Sequence, residues 1–204
     1  MPSKIQKYQQ NYLSNISKNF KYIAVATIAV VVSSCSDDDK PSVNTPVNEE
    51  EVITTVITTL TNGTQTVTLT SRDLDGDGPN APVVTLSGNL TANTTYTGTV
   101  KFLNELVNPA EDITDEIHEE SDEHQIFFQV PVALGTFNYA DLDRNGKPVG
   151  LSFHYTTGNA ASGNLIVTLI HEPNKNAEGV ATGNITNAGG ATDAQISYPI
   201  VVTE

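Results

Sequence analysis

Tryptophan is absent from this 204-residue chain, and cysteine and methionine occur once each. A single cysteine excludes a disulfide framework and any Cys-based zinc cluster. Without tryptophan, a sugar-stacking surface would have to be built from the 7 tyrosines and 6 phenylalanines, which counts against carbohydrate binding. Basic residues are scarce: 10 Lys+Arg face 24 Asp+Glu, for a formal net charge of −14. Nucleic-acid binders need a basic surface to neutralise phosphates, so that class is excluded. Long apolar runs are lacking too. Tyr22 to Val32 spans only eleven residues, whereas a bilayer-spanning helix needs about 20. Signatures of catalysis are equally thin. Ser, His and Asp occur without a nucleophile elbow, no glycine loop is set to cradle a phosphate, and no spacing singles out a glycosidase carboxylate pair.

The first thirty-four residues carry Lys4, Lys7, Lys18 and Lys21 ahead of the apolar run, and no acid. That is the charge-then-hydrophobe order of a secretory signal. Val32-Ser33-Ser34-Cys35 follows and resembles the bacterial lipobox, which implies cleavage before Cys35 and acylation of its thiol. Removing the leader takes away four lysines and no acid, so the formal charge moves from −14 to −18. Each buried acyl methylene contributes about 0.8 kcal/mol, and a multiply acylated cysteine gives stable anchoring to a membrane. A body this anionic is repelled by anionic headgroups and stands off on its tether. Cys35-Ser36-Asp37-Asp38-Asp39-Lys40 resembles the export signal of Bacteroidota lipoproteins, which implies display on the outer face of the outer membrane. A periplasm-facing anchor is the alternative. The expected organisation is a signal peptide over 1–34, a lipidated acidic flexible tether over 35–48, and a single domain over 49–204.

That domain is rich in threonine, valine and asparagine, with glycine punctuation every ten or so residues, an all-β pattern. Asn62-Gly63 predicts a two-residue hairpin turn between Ile53–Thr61 and Thr64–Thr70. It would set Leu60 opposite Gln65, Thr58 opposite Val67 and Val56 opposite Leu69 on an apolar face, with threonines on the other. Further strands are predicted over Val83–Ser87, Thr94–Asn104, His124–Val130, Val149–Thr156, Asn164–His171 and Ala194–Thr203. The sum is a two-sheet antiparallel β-sandwich of immunoglobulin-like type with one short acidic helix, a small β-barrel being the alternative. The helix is predicted over Asn108–Asp122, capped by Asn108 with Pro109 at its first position and Glu111 completing a capping box.

Three acidic clusters suggest cation binding. Asp73, Asp75 and Asp77, followed by Gly78, have the spacing of the first half of a calcium loop, and Asp141, Asp143 and Asn145 before Gly146 repeat it. The twelfth positions hold Val84 and Ser152 rather than glutamate, so neither is an EF-hand. A polar turn is the competing reading. The third cluster places eight acids within Glu111–Glu123. On a helix, Asp115, His118 and Asp122 share one side, opposite Ile113 and Ile117, and make a candidate transition-metal site; a solvated helix face is the alternative. The other histidines, His124, His154 and His171, each adjoin a strand. Glu123–His124 and His171–Glu172 are acid-flanked pairs. Hydrogen-bonded histidines at strand ends are the expectation, with convergence on a zinc or copper site as the alternative.

The acidic tail, Asp-Leu-Asp-Gly-Asp-Gly-Pro-Asn-Ala-Pro from Asp73, Pro-Ala-Glu-Asp-Ile-Thr from Pro109, Asp-Glu-His-Gln from Asp122 and His171-Glu-Pro-Asn-Lys175 together resemble a group of small flavobacterial-type surface lipoproteins. Some of that group carry the label "type 1 periplasmic-binding fold", a two-lobed α/β design whose repeated strand–helix units this chain lacks. The resemblance supplies no ligand residues. The expected function is non-enzymatic: a surface-anchored sandwich that binds a ligand or partner, with divalent cations on its acidic face, as accessory to an outer-membrane transporter. A structural or adhesive protein with stabilising calcium loops, and a hydrolase with an unrecognised carboxylate pair, are the alternatives.

Overall fold

Alternation of apolar and threonine side chains at a period of two requires each strand to bury one face, and two such sheets satisfy each other. The computed structural model describes residues 51–76 and 78–204. The expected signal peptide, Cys35, the expected tether and Asp77 lie outside the described residues. Along the chain come β1 (Thr55–Thr61), β2 (Thr66–Arg72), β3 (Val83–Leu86), β4 (Leu90–Thr91), β5 (Thr95–Asn104), β6 (Glu111–Asp112), helix α1 (Ile113–Glu119), β7 (His124–Gln129), β8 (Gly135–Tyr139), β9 (Ser152–Thr157), β10 (Ala161–His171) and β11 (Ala191–Thr203).

The first sheet runs β3-β2-β1-β5-β9-β8, with β6 paired to the end of β5; the second runs β4-β11-β10-β7. All pairs are antiparallel except the short β4–β11 contact. The protein is therefore an all-β sandwich with separate sheet edges rather than a closed barrel, and one α-helix stands among the described residues. Its core joins Val56, Leu60, Val67, Leu69, Phe102 and Phe153 of the first sheet to Leu165, Val167, Leu169, Ile200 and Val202 of the second. Each such side chain contributes about 1.5–3 kcal/mol on burial. Three fully buried tyrosines keep their hydroxyls satisfied: Tyr96 donates to Gln65 Oε1 at 2.7 Å, Tyr155 to the Leu134 carbonyl at 2.7 Å and Tyr198 to the Val56 carbonyl at 2.9 Å. Tyr198 thereby ties one sheet to the other. Burial pushes the Tyr155 and Tyr198 hydroxyls up to about 12.

Two local expectations are corrected. The first hairpin pairs Leu60 with Val67 and Thr58 with Leu69, two residues away from the register a two-residue turn would impose. Asn62 Oδ1 accepts from the backbone N–H of Thr64 and Gln65 and from the Thr64 hydroxyl, so the side chain closes a wider loop, with Gly63 at φ 87°. A shift of two keeps every side chain on its face, so the apolar-in, threonine-out division stands. The helix begins at Ile113, not Asn108. Glu111 and Asp112 pair instead with Asn104 and Leu103 of β5, and Asp112 is the cap, its carboxylate accepting from Thr114 N. Ile113 and Ile117 are the helix's buried stripe, as their spacing requires.

The connection 172–190 folds back over the outer face of the second sheet. There Phe127 and Ile170 pack against Val180 and Ala188. This second cover explains why β10 is apolar on both faces toward its end.

Candidate metal centre

Antiparallel pairing of β7 with β10 sets His124 directly opposite His171, one step beyond the Gln125–Ile170 pair. Both imidazoles share the inward face with Ile126, two positions after His124, and Leu169, two before His171, and close one end of the core. Their rings stack with centroids 4.6 Å apart. Two acids from other elements reach the same place. Glu51 stands on the segment that leads into β1. Asp193 lies on β11 where the pairing slips: Leu169 faces Ala194 but Ile170 faces Thr192, leaving Asp193 as the extra residue of a β-bulge. Bulges re-aim side chains in this way. One ligating atom from each of Glu51, His124, His171 and Asp193 lies within 4.8 Å of one from each of the others.

These four side chains are at most 5% exposed. His124 Nε2 is 2.8 Å from Glu51 Oε1 and 3.9 Å from Asp193 Oδ2, and His171 Nδ1 is 4.0 Å from Asp193 Oδ1. The edge of a tetrahedron with bonds of about 2 Å is about 3.3 Å, so sub-ångström adjustments bring these atoms to coordinating positions. On the far side of its ring, His124 Nδ1 lies 3.2 Å from the Glu120 carbonyl. An N–H donated there leaves the Nε2 lone pair facing the carboxylates, the backing typical of a metal-bound histidine. Glu51 Oε2, His124 Nε2 and His171 Nε2 are buried without a hydrogen-bond partner. The 2.8 Å contact to Glu51 thus lacks hydrogen-bond alignment. Leaving such groups unsatisfied costs about 1–3 kcal/mol each, more when charged. With both imidazoles neutral, Glu51 and Asp193 bring two carboxylates against two imidazole nitrogens, donors that a divalent cation can bind.

The electrostatics without metal agree. Burial pulls the His124 imidazole down, but the contact and charge of Glu51, the Glu120 carbonyl and Asp193 outweigh it and hold its pKa above the ordinary 6.5. Burial pushes Glu51 up, and the His124 contact overrides it to leave Glu51 below its ordinary 4.5. A proton on His124 therefore takes part of the role a cation would fill. Two imidazoles and two carboxylates make a donor set for a borderline transition ion.

The structure sends the other predicted ligands elsewhere. Asp141 accepts from the N–H groups of Gly150 and Ser152. Asp143 accepts from Asn145 N and Lys147 N with one oxygen and holds Lys175 Nζ at 3.0 Å with the other. Buried Lys175 donates also to the carbonyls of Ser121 and Pro148. The Lys175 ammonium is the cation paired with Asp143 in this loop, and Asn145 is exposed. Burial lowers the Lys175 pKa against the opposing pull of Asp143. Among the described residues of the first loop, Asp73 caps the N–H groups of Asp75 and Gly76, and Asp75 accepts from Asn80. The helix constellation does not form. Asp115 and His118 are exposed, while Asp122 lies beyond the helix end and pairs with Arg144. His154 is exposed on β9. Convergence therefore involves His124 and His171 without His118 and His154.

The class defined by fold and site is an all-β sandwich with a buried His/carboxylate cluster able to hold a metal ion. Comparison with known proteins finds no match among family models, curated sequences or solved structures.

Proposed function

We propose that this protein is a lipid-anchored, surface-displayed sandwich that holds one divalent transition-metal ion, zinc foremost, between Glu51, His124, His171 and Asp193. The stacked, inward histidine pair facing two buried carboxylates carries this reading. Zinc suits it because the donors are two nitrogens and two carboxylates in a closed shell of four. Four protein ligands leave no position for substrate or activated water, which favours a retaining site over a catalytic one. The anchor rests on the Lys-rich leader, the lipobox at Cys35 and the acidic run after it. An ion carried at the outer membrane by a non-enzymatic protein fits an accessory of a transporter, which would accept the ion or its carrier.

Metal analysis of the protein as isolated, followed by cobalt(II) substitution, tests the reading. The expected result is one equivalent of metal and a tetrahedral cobalt spectrum lost in His124→Ala and in His171→Ala, but kept in His118→Ala. A spectrum that persists in both cage variants would overturn it.

A further inference from the structure

The acids that flank the two histidines in sequence are brought together as well. Beyond the His124–His171 pair, the Glu172 N–H donates to the Glu123 carbonyl at 2.6 Å, so Glu123-His124 and His171-Glu172 run antiparallel, glutamate opposite glutamate, at the strand ends. Glu172 has a φ of 50°, in the left-handed region that a non-glycine residue enters at some cost. That turn ends the ladder and breaks the alternation that would carry its side chain away. Ligating atoms of Glu123, His171 and Glu172 lie within 4.8 Å of one another. His171 Nε2, buried and without a hydrogen-bond partner, is 3.9 Å from Glu123 Oε2, while Nδ1 of the same ring faces Asp193 at 4.0 Å.

The two sides of the ring differ in their access to water. The Glu123 side chain is 51% exposed, against at most 5% for the four cage side chains. An ion reaching the cage must shed its water step by step, and among the described cage residues His171 alone also meets an exposed carboxylate pair. We infer that Glu123, Glu172 and Nε2 of His171 form a solvent-facing loading position for the same divalent transition ion, and that the ion passes from there around the His171 ring into the cage. The inference rests on the cage reading. A neutral imidazole has a single lone pair, so outer and inner ions compete for His171 and the protein holds one ion at a time. The proton follows the opposite course. It sits on Nδ1 while Nε2 holds the outer ion, and on Nε2, facing Glu123, once Nδ1 turns to the inner one.

A loading position that is not part of the final ligand set alters the rates in both directions by the same factor and leaves the equilibrium unchanged. Zinc uptake and release to a chelator are therefore measured by stopped flow on the full chain and on the Glu123→Gln/Glu172→Gln variant. Salt is held at about 1 M, where the Debye length of about 3 Å removes long-range steering. Asp115→Asn/Glu119→Gln removes the same charge from the exposed helix face as control. The expected result is uptake and release both slowed at least about tenfold in the first variant, as a shared barrier raised by about 1.4 kcal/mol gives. Its Kd stays unchanged within error, and the control keeps the parent rates. Unchanged rates in the first variant would overturn the loading role while leaving the cage intact. Equal slowing in the control, or weakened affinity through faster release alone, would overturn it too. Failure of the parent chain to take up zinc would remove the cage reading, and the loading position with it.

Discussion

A histidine at a strand end is ordinarily a satisfied polar residue; His124 differs because its partner is a carboxylate that is buried with it. The pair makes stability depend on pH in two directions. His124 has a raised pKa, so its contribution is full below its ordinary 6.5 and is lost as pH rises through the raised value. Glu51 has a lowered pKa, so its contribution is present above its ordinary 4.5 and is lost as pH falls through the lowered value. Metal-free protein is therefore expected to be most stable between those limits and to lose melting temperature on the alkaline side. Zinc requires the imidazole without its proton, so the zinc-loaded protein should hold its melting temperature through the same alkaline range. Thermal melts of chelated and zinc-loaded protein from pH 4 to pH 9 read this directly, and His124→Gln should abolish the alkaline decline. A chelated protein whose stability is flat above neutrality would show that His124 carries no proton there. At this scale part of the site was legible in the sequence: His124 and His171 stand out as acid-flanked residues bordering strands. Lys175 was less visible, because one lysine in a polar segment carries no sign that three oxygens will surround it.

Among the secondary-structure elements, eight strand positions followed from composition while the short β4, β6 and β8 did not, and the apolar faces of β1, β2 and β10 followed from alternation. What alternation does not encode is an interruption of itself. Glu51 and Asp193 meet the histidines only because β11 carries a bulge at Asp193 and because the segment before β1 reaches across from the other sheet. Both are long-range consequences of packing. The hairpin register and the helix start miss for a related reason: Asn62 and Glu111–Asp112 found partners that compete with the local turn and cap preferences. The return into β11 shows how tight this region is. Gly190, at φ 74°, runs so close to β10 that a Cβ there would lie 2.2 Å from the His171 carbonyl oxygen and 2.8 Å from Ile170 Cγ2. Gly190→Ala is expected to cost about 1–3 kcal/mol, since strain and overpacking combine. By displacing His171 it should also weaken zinc binding. Urea denaturation and zinc titration of the same variant measure the two effects, and stability equal to the parent would mean that the strand passes with room to spare.

At the scale of the whole described domain, an acidic, threonine-faced sandwich, one metal ion would act on every layer at once. Its ligands come from the lead-in to β1, from β7, from β10 and from β11, so the ion would link both sheets and the start of the domain. A ligand that binds only the folded state adds about 2.7 kcal/mol at one hundred times its Kd. For a domain of this size each kcal/mol moves the melting temperature by about 2–4 °C, so saturating zinc should raise it by about 5–10 °C. Calcium should leave the cage unaffected, because a hard cation takes six to eight oxygens and this site offers two carboxylates beside two imidazoles. Asp143 is likewise closed to it by Lys175, so a calcium shift would have to come from the Asp73–Asp75 turn and would persist in His171→Ala. The zinc shift should vanish in that variant. Differential scanning calorimetry of parent and variant with each ion separates these cases. A zinc shift that survives in His171→Ala would mean that the ion sits elsewhere, on the exposed acids of the surface rather than between the sheets.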